Sequence, residues 1–180
     1  MSGKWAHRLA WPCLPLLLSL AACGSGGGAN LGQRAQIECA PFARALTGVS
    51  LTGDAADWWL QARGLYDRSD TPAVGSILVL RRSRRLPEGH VAVVSEVLSA
   101  RQITVTQANW VHGRVTQDQL VEDVSGAGDW SLVRVWWPPA GQMGVTDYPT
   151  FGFIRPDRPA GHDRLIAMTP AAIRLAEQGW

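Results

Sequence analysis

The sequence predicts an α+β domain in which N-terminal helices pack on a small antiparallel sheet. Two segments with helical character come first, at residues 38–46 and 53–62. Strand-like segments rich in Val, Ile, Thr and Trp follow, at Val74–Leu80, Val91–Val97, Gln102–Ala108 and Trp130–Trp136. Helices followed by a run of consecutive strands are typical of the α+β class, and the first two strands are predicted to form a hairpin.

The first predicted helix begins at Cys39. Pro41 falls in its first turn, where the missing N–H costs no hydrogen bond, and Gly48 provides the stop. The second helix has acidic residues near its start and Gly64 after its end. Cys39 is therefore expected at a helix N-terminus, where the backbone amides and the helix dipole favour a thiolate and help to hold an oxyanion.

Length and charge restrict the classes of protein that this chain can represent. With 180 residues and 46% hydrophobic residues, it accommodates one compact domain with short appendages. The 17 basic and 15 acidic residues give a formal charge of +2, which is too small to indicate a nucleic-acid partner. Nine Trp residues suit either a core or a cleft for sugars and peptides, and composition does not separate these uses.

Residues 1–22 are predicted to be an export signal. A basic start precedes the apolar stretch Leu9–Ala22, which is shorter than the roughly 20 residues needed to span a bilayer. The end of this stretch, Leu20–Cys23, resembles the lipobox of bacterial lipoproteins. That resemblance implies acylation of Cys23 and a lipid anchor on the periplasmic or outer side of the membrane. The alternative is an ordinary cleaved signal that happens to precede a cysteine.

A Gly-rich segment at residues 23–35 is predicted to be a flexible tether with a span of roughly 20 Å. The folded domain is expected at residues 36–154. Residues 155–180 fit either a packed terminal helix or a disordered tail.

Cysteine usage isolates one thiol. Cys13 lies in the predicted signal and Cys23 is the predicted lipidation site, which leaves Cys39 as the sole cysteine of the domain. Unpaired thiols are unusual in oxidising compartments. Cys39 is therefore either a buried structural residue or a nucleophile.

His90 is the histidine best placed to serve that thiol as a base. It opens a predicted strand, from which it can approach a helix terminus elsewhere in the chain. Gln107 and Asn109 end the next strand on one face, and either side-chain carbonyl can accept a hydrogen bond from the imidazole. A metal site made of Cys39, His90 and His112 is the alternative, although their spacing matches no metal motif.

Aromatic and basic residues near these positions are candidates for substrate contact. Trp58, Trp59 and Trp110 are candidate cleft residues, with core packing as the alternative for at least one of the adjacent pair. The basic loop at residues 81–85 is either a solvated tip or a grip for carboxylates of the substrate.

Five motifs in this order resemble the CHAP family, whose name stands for cysteine, histidine-dependent amidohydrolase/peptidase. They are Glu38–Cys39, Asp57–Trp59, Val74–Leu80, Gly89–Val93 and Gln107–Trp110. The resemblance covers residues 36–154. It implies a papain-like fold and hydrolysis of amide bonds in peptidoglycan, with no metal and no organic cofactor.

The resemblance also assigns roles to individual residues. It implies Cys39 as nucleophile, His90 as base and Asn109 as the residue that orients the imidazole. Many members place Glu where this chain has Gln107, a departure that removes a negative charge near His90. The backbone amide of Cys39 and the side chain of Gln36 are candidate oxyanion donors.

The sequence thus predicts an exported cysteine amidase or endopeptidase that acts on peptidoglycan through a Cys-His-Asn thioester mechanism. We expect it to be a monomer that meets wall peptide as substrate, the membrane through its lipid anchor and no nucleic acid. The alternative is an inactive module that binds wall peptide without cutting it.

Overall fold

The fold is known from a computed structural model that describes residue 2, residues 31–157 and residues 161–178. The predicted export signal, the lipidation site Cys23 and the first part of the tether lie outside these residues. No helix in the described ranges combines the length and the apolar composition needed to cross a bilayer.

Short helices and longer strands make up the described residues. The α-helices are α1 Cys39–Thr47, α2 Trp58–Gln61 and α3 His162–Glu177, with 3-10 turns at Ala55–Asp57 and Pro138–Ala140. The strands are β1 Gln33–Arg34, β2 Asp67–Ser69, β3 Ile77–Leu80, β4 His90–Ser99, β5 Gln102–Ala108, β6 Arg114–Asp123, β7 Leu132–Trp137, β8 Gln142–Met143 and β9 Tyr148–Arg155.

Six strands close into an antiparallel barrel. Their order is β6-β5-β4-β3-β9-β7, and β7 pairs back onto β6 through the register Val121↔Val135. The predicted hairpin is confirmed, because β3 and β4 pair in the register Ile77↔Val93. Three short strands pair antiparallel with barrel strands: β1 with β6, β2 with β9 and β8 with β7.

The predicted fold class was wrong. We expected a papain-like arrangement with N-terminal helices on a small antiparallel sheet, whereas the structure is mainly a closed antiparallel barrel with few helices. The error comes from β6 and β9, which were not predicted to be strands. β9 pairs with both β3 and β7, and β6 pairs with both β5 and β7, so these two strands turn an open sheet into a barrel.

The buried side chains of the central strands form two hydrophobic cores, one on each face of the sheet. Successive side chains of a strand point to opposite faces, so Leu78 faces the barrel interior with Phe153 while Ile77 and Val79 face the helices. β3 is buried along its whole length, which explains its unbroken apolar sequence.

Helix α1 packs outside the barrel on β4 and β5. Its start at Cys39 and its end before Gly48, which adopts a left-handed conformation with φ 77°, agree with the sequence prediction. Helix α3 lies in the segment for which the sequence left a helix and a tail open, and it packs against α1. Leu165, Ala172 and Ile173 are the buried apolar residues of that contact face. The division of the chain at residues 22, 35 and 154 stays a prediction.

Candidate active site

The thiol of Cys39 lies at the first position of α1. Glu38 is the N-cap residue with an extended backbone, and the following residues turn into the helix. Amides in the first turn of a helix have no acceptor inside the helix, so those of Cys39 and Ala40 are oriented towards the space in front of it. Cys39 is partly buried and is not in a disulfide.

The imidazole of His90 lies at the start of β4 and lines the same cavity as Cys39. It is 4% exposed, and its ring packs edge-on against Trp110 with 5.2 Å between ring centroids. His90 pairs with Leu80 across the hairpin, which fixes its backbone position at the strand end. The sheet therefore presents a buried, oriented imidazole at the barrel mouth.

The structure brings Cys39 and His90 into contact. Burial alone would raise the pKa of the Cys39 thiol, but the charge of His90, a hydrogen bond with its ring and a hydrogen bond from the Val91 backbone lower that pKa below its ordinary value. Burial would lower the pKa of His90, but the charge of Cys39 and hydrogen bonds with Cys39 and Gln107 raise it. These opposite directions favour a thiolate and an imidazolium as a pair.

Gln107 makes the second contact of the imidazole. Its Oε1 lies 3.0 Å from His90 Nε2, and the Gln107 side chain is buried at 1% exposure. A side-chain carbonyl can only accept a hydrogen bond, so the Nε2–H of His90 is the donor. The remaining ring nitrogen is then left for Cys39, and the tautomer is fixed.

Asn109 lies nearby but has other partners. Its Nδ2 donates to Glu38 Oε2 at 2.7 Å, and its Oδ1 accepts from the backbone N–H of Gly113 at 2.9 Å. The Asn109 backbone is left-handed with φ 60°, a conformation that Asn tolerates better than most residues. Asn109 therefore ties the N-terminus of α1 to the loop after β5, and the imidazole contact predicted for it is made by Gln107.

Two cavities of similar size meet at His90 and Asn109. The acidic cavity, of about 400 Å³, extends from Cys39 and is lined by the carboxylates of Glu38, Asp54 and Glu88. The aromatic cavity, of about 410 Å³, extends in the other direction and is lined by the rings Trp110, Trp137 and Tyr148.

The loop that joins β3 to β4 borders both cavities. Arg85 and Leu86 line each of them, so this loop forms a shared rim. Arg82 of the same loop is bound to Asp54 and Asp57 at 2.8 Å, which attaches the loop to the turn before α2. Within the predicted basic loop, Arg82 thus has a structural role, whereas Arg85 lines the candidate site.

The other predicted contact residues are distributed differently. Trp110 lines the aromatic cavity, whereas Trp58 is fully buried in the core. Trp59 stacks on Phe151 with 5.9 Å between ring centroids. Gln36 is exposed and lies beside Gly113. A Cβ atom added to Gly113 would be 2.8 Å from the Nε2 of Gln36.

Metal ligation finds no support in the residues that the structure describes. No group of three or more His, Cys, Asp or Glu side chains is placed among them to hold an ion. His112, the third member of the alternative metal site, is exposed in the loop after Trp110.

Sequence reasoning missed Trp137 and Tyr148 as cavity residues and assigned no role to Glu38. The signal for Trp137 was available, because alternation in a strand sends Trp136 and Trp137 to opposite faces and one of them must leave the core. Tyr148 was not accessible in this way, since it opens β9, which was not predicted.

Comparisons with known proteins give two matches, one to a family model and one to a solved structure. The family model described as CHAP domain matches residues 28–109, a range that contains Cys39, His90, Gln107 and Asn109. Among solved structures, one described as "The crystal structure of Ly7917" aligns with 16% sequence identity and a TM-score of 0.38, covering 72% of this chain and 57% of that chain. A search of curated proteins finds no match.

The family is one of peptidoglycan-hydrolysing amidases and peptidases. The resemblance found in the sequence motifs is confirmed by the family model. The family model thus identifies a CHAP domain at residues 28–109 of the chain.

Proposed function

We propose that this protein is a cysteine hydrolase that cleaves amide bonds of peptidoglycan, with Cys39 as nucleophile and His90 as general base and acid. The observation that carries the proposal is the contact between a helix-terminal thiol and a buried imidazole, whose pKa values are displaced in opposite directions. Both groups border open cavities of a size that suits a small segment of polymer.

The proposed reaction has two halves. In the first, the Cys39 thiolate attacks the amide carbonyl, and the resulting oxyanion is held by the first-turn amides of α1. The imidazolium of His90 protonates the leaving nitrogen, the C–N bond breaks and a thioester remains. In the second half, His90 takes a proton from water, the resulting hydroxide attacks the thioester, and the acid and the thiolate are released.

Gln107 is the orienting residue in this proposal. Its Oε1 accepts from His90 Nε2 at 3.0 Å, which leaves the other nitrogen to exchange protons with Cys39. An amide suffices, since the orienting group need not ionise. Asn109 supports the site indirectly by tying Glu38 to the loop after β5.

Purified peptidoglycan provides the direct test. We expect the wild-type protein to release soluble fragments that mass analysis identifies, and Cys39→Ala to reduce the release rate by about 10⁴-fold or more. Leu60→Ala serves as a control, because Leu60 is 62% exposed and lines neither cavity. Equal release by wild type and Cys39→Ala, or no release by either, would refute the hydrolase.

Thiol activation has an independent readout. We expect iodoacetamide to alkylate Cys39 with a pH midpoint below the ordinary thiol value of about 8.5, followed on the Cys39 peptide by mass spectrometry. A midpoint at or above that value would show that His90 does not activate the thiol.

The site of action in this proposal is the outer face of a membrane, where a lipid on Cys23 anchors the protein close to the wall. The support is the sequence of residues 1–23, with its basic start, short apolar stretch and Leu20–Cys23 pattern. In cells, Cys23→Ala should move the protein out of the membrane fraction. Unchanged fractionation would rule out the anchor.

A further inference from the structure

The amide of Gln107 has two chemically different ends, and only its oxygen can orient His90 as the proposed reaction requires. That oxygen, Oε1, accepts from His90 Nε2 at 3.0 Å. If the amide turned over, its nitrogen would donate to the ring, and the imidazole would have to carry its proton on Nδ1, the nitrogen that serves Cys39. An imidazole is satisfied in either arrangement, so the contact with His90 does not select between them. The selection must come from the other end of the amide.

Three buried polar atoms are available for that selection. They are Gln107 Nε2, Thr116 Oγ1 and Gln119 Oε1, and none of them has a hydrogen-bond partner among the residues that the structure describes. The three residues are 1%, 1% and 5% exposed in the same order. Buried polar groups of folded proteins are almost always hydrogen-bonded, so three unpaired atoms in neighbouring side chains require an explanation.

The pairing of β5 with β6 places these three side chains on one face. Gln107 is directly opposite Thr116, and Gln119 is opposite Val105, which precedes Gln107 by two residues. The register shifts between these two pairs, and Asp118 adopts a left-handed conformation there with φ 52°. Val105 packs in the core inside the barrel, so the side chains that share its face point inward as well.

Gln119 gives this group of side chains a direction. Its Nε2 donates to the backbone carbonyl of Gln117 at 2.9 Å, which leaves its Oε1 as the free end. A carbonyl oxygen can only accept a hydrogen bond, whereas a hydroxyl group can accept one and donate another. The Thr116 hydroxyl can therefore donate to Gln119 while it accepts from Gln107.

We propose that Thr116 and Gln119 are positioning residues that hold the amide of Gln107 with its oxygen towards His90. This inference rests on the proposed function and adds two residues to it. After rotation of the side chains, Gln107 Nε2 donates to Thr116 Oγ1, and the Thr116 hydroxyl donates to Gln119 Oε1. The chain of hydrogen bonds ends at the Gln117 carbonyl. If the Gln107 amide turned over, Thr116 would donate to Gln107, and Gln119 Oε1 would be buried without a donor, which is unfavourable.

The tautomer of His90 gives a readout that does not depend on hydrolysis. Nitrogen-15 NMR of the Cys39→Ala protein, at a pH where the ring is neutral, distinguishes a proton on Nε2 from one on Nδ1. We expect the Nε2–H form to dominate. Adding Thr116→Val, which removes the hydroxyl and keeps the shape, should shift the ratio about fivefold towards Nδ1–H. Gln119→Met, which removes the final acceptor, should shift it in the same direction, and Thr116→Ser should retain the original ratio.

Thr106→Val is the matched control for Thr116→Val. Thr106 is fully buried beside Gln107 in β5, and its hydroxyl also has no partner among the described residues. It shares a strand face with Ala108, which packs in the core that contains the helices, so it points away from the barrel interior. The same substitution there should leave the tautomer ratio unchanged. An unchanged ratio in Thr116→Val, or an equal shift in Thr106→Val, would overturn the inference.

Release rates test whether Thr116 acts through Gln107. With Gln107 present, Thr116→Val should lower the rate of fragment release about fivefold, and Thr116→Ser should not. In the Gln107→Leu background, Thr116→Val should cause no further loss, because the amide that it orients is gone. An equal loss in both backgrounds would identify a purely structural role and overturn the inference. Absence of release by the wild type would refute the hydrolase, whereas the tautomer ratio would still decide the inference.

Discussion

Residues 31–109 and residues 110–157 contribute differently to this molecule. The first region contains α1 to β5 and every residue assigned to the proposed reaction, namely Cys39, His90 and Gln107. The second region contains β6 to β9, which close the barrel and supply Trp137 and Tyr148 to the aromatic cavity. The groups of the proposed reaction thus lie in the first region, while closure of the barrel and one wall of the aromatic cavity depend on the second region.

The largest expected effect is a loss of stability when the second region is altered. Phe153 of β9 is fully buried, pairs opposite Leu78 and packs on Trp130 at 5.6 Å between ring centroids. Phe153→Ala should lower the free energy of unfolding by about 3–5 kcal/mol, because it leaves a cavity in the barrel core. Urea unfolding followed by tryptophan fluorescence measures the change.

The control for this variant lies in the first region. Leu60→Ala should change the free energy of unfolding by no more than about 0.5 kcal/mol, since Leu60 is largely exposed. A loss below about 1 kcal/mol for Phe153→Ala would mean that barrel closure by β9 contributes little to stability. The second region would then lose the structural role assigned to it.

The fold was predictable from sequence only where a signal was local. Pro41 and Gly48 mark the two ends of a helix by their own conformational preferences, and the β3–β4 hairpin follows from two adjacent apolar segments. β9 contains Pro149 and Gly152, both of which weaken a strand prediction. Its pairing with β3 joins residues at least 70 positions apart, and no local pattern indicates such a contact.

The positions of the candidate site residues were more predictable than the fold. Cys39 begins a helix and His90 begins a strand, and local sequence signals indicate both element ends. The choice between Gln107 and Asn109 was not accessible, because it depends on the backbone after β5. Asn109 turns left-handed there and directs its amide to Glu38, while Gln107 stays in regular strand on the face that meets the imidazole.

Gln107→Glu tests how Gln107, in the first region, acts on the imidazole of His90. A carboxylate at this buried position would stabilise the imidazolium and raise the pKa of His90 by about one unit or more. The thiolate–imidazolium pair is lost as pH rises through that pKa, so the alkaline limb of the pH–rate profile should move to higher pH. Initial rates of fragment release across a pH series measure the shift.

Gln107→Leu is the matched variant, because it keeps the volume and removes the acceptor. It should lower the release rate by about 10- to 100-fold, as expected when an orienting hydrogen bond is lost. An alkaline limb that stays in place in Gln107→Glu, together with full activity in Gln107→Leu, would show that Gln107 does not act on His90.

Glu38→Gln tests the smallest expected effect, which is a charge effect without a change of shape. The Glu38 carboxylate raises the pKa of both Cys39 and His90, so its removal should move both limbs of the pH–rate profile to lower pH together. Because Glu38 is exposed and screened by solvent, each shift should be less than about one pH unit and should shrink in about 1 M salt.

A Gln side chain at position 38 can still accept the hydrogen bond from Asn109, so the loop after β5 should keep its position. Rate profiles at low and high salt therefore separate two roles of Glu38. A parallel, salt-sensitive shift of both limbs identifies an electrostatic influence on the Cys39–His90 pair. A salt-independent loss of rate with both limbs unmoved would instead identify Glu38 as a structural link between α1 and the loop after β5. The charge of Glu38 would then have no effect on the pKa values of Cys39 and His90.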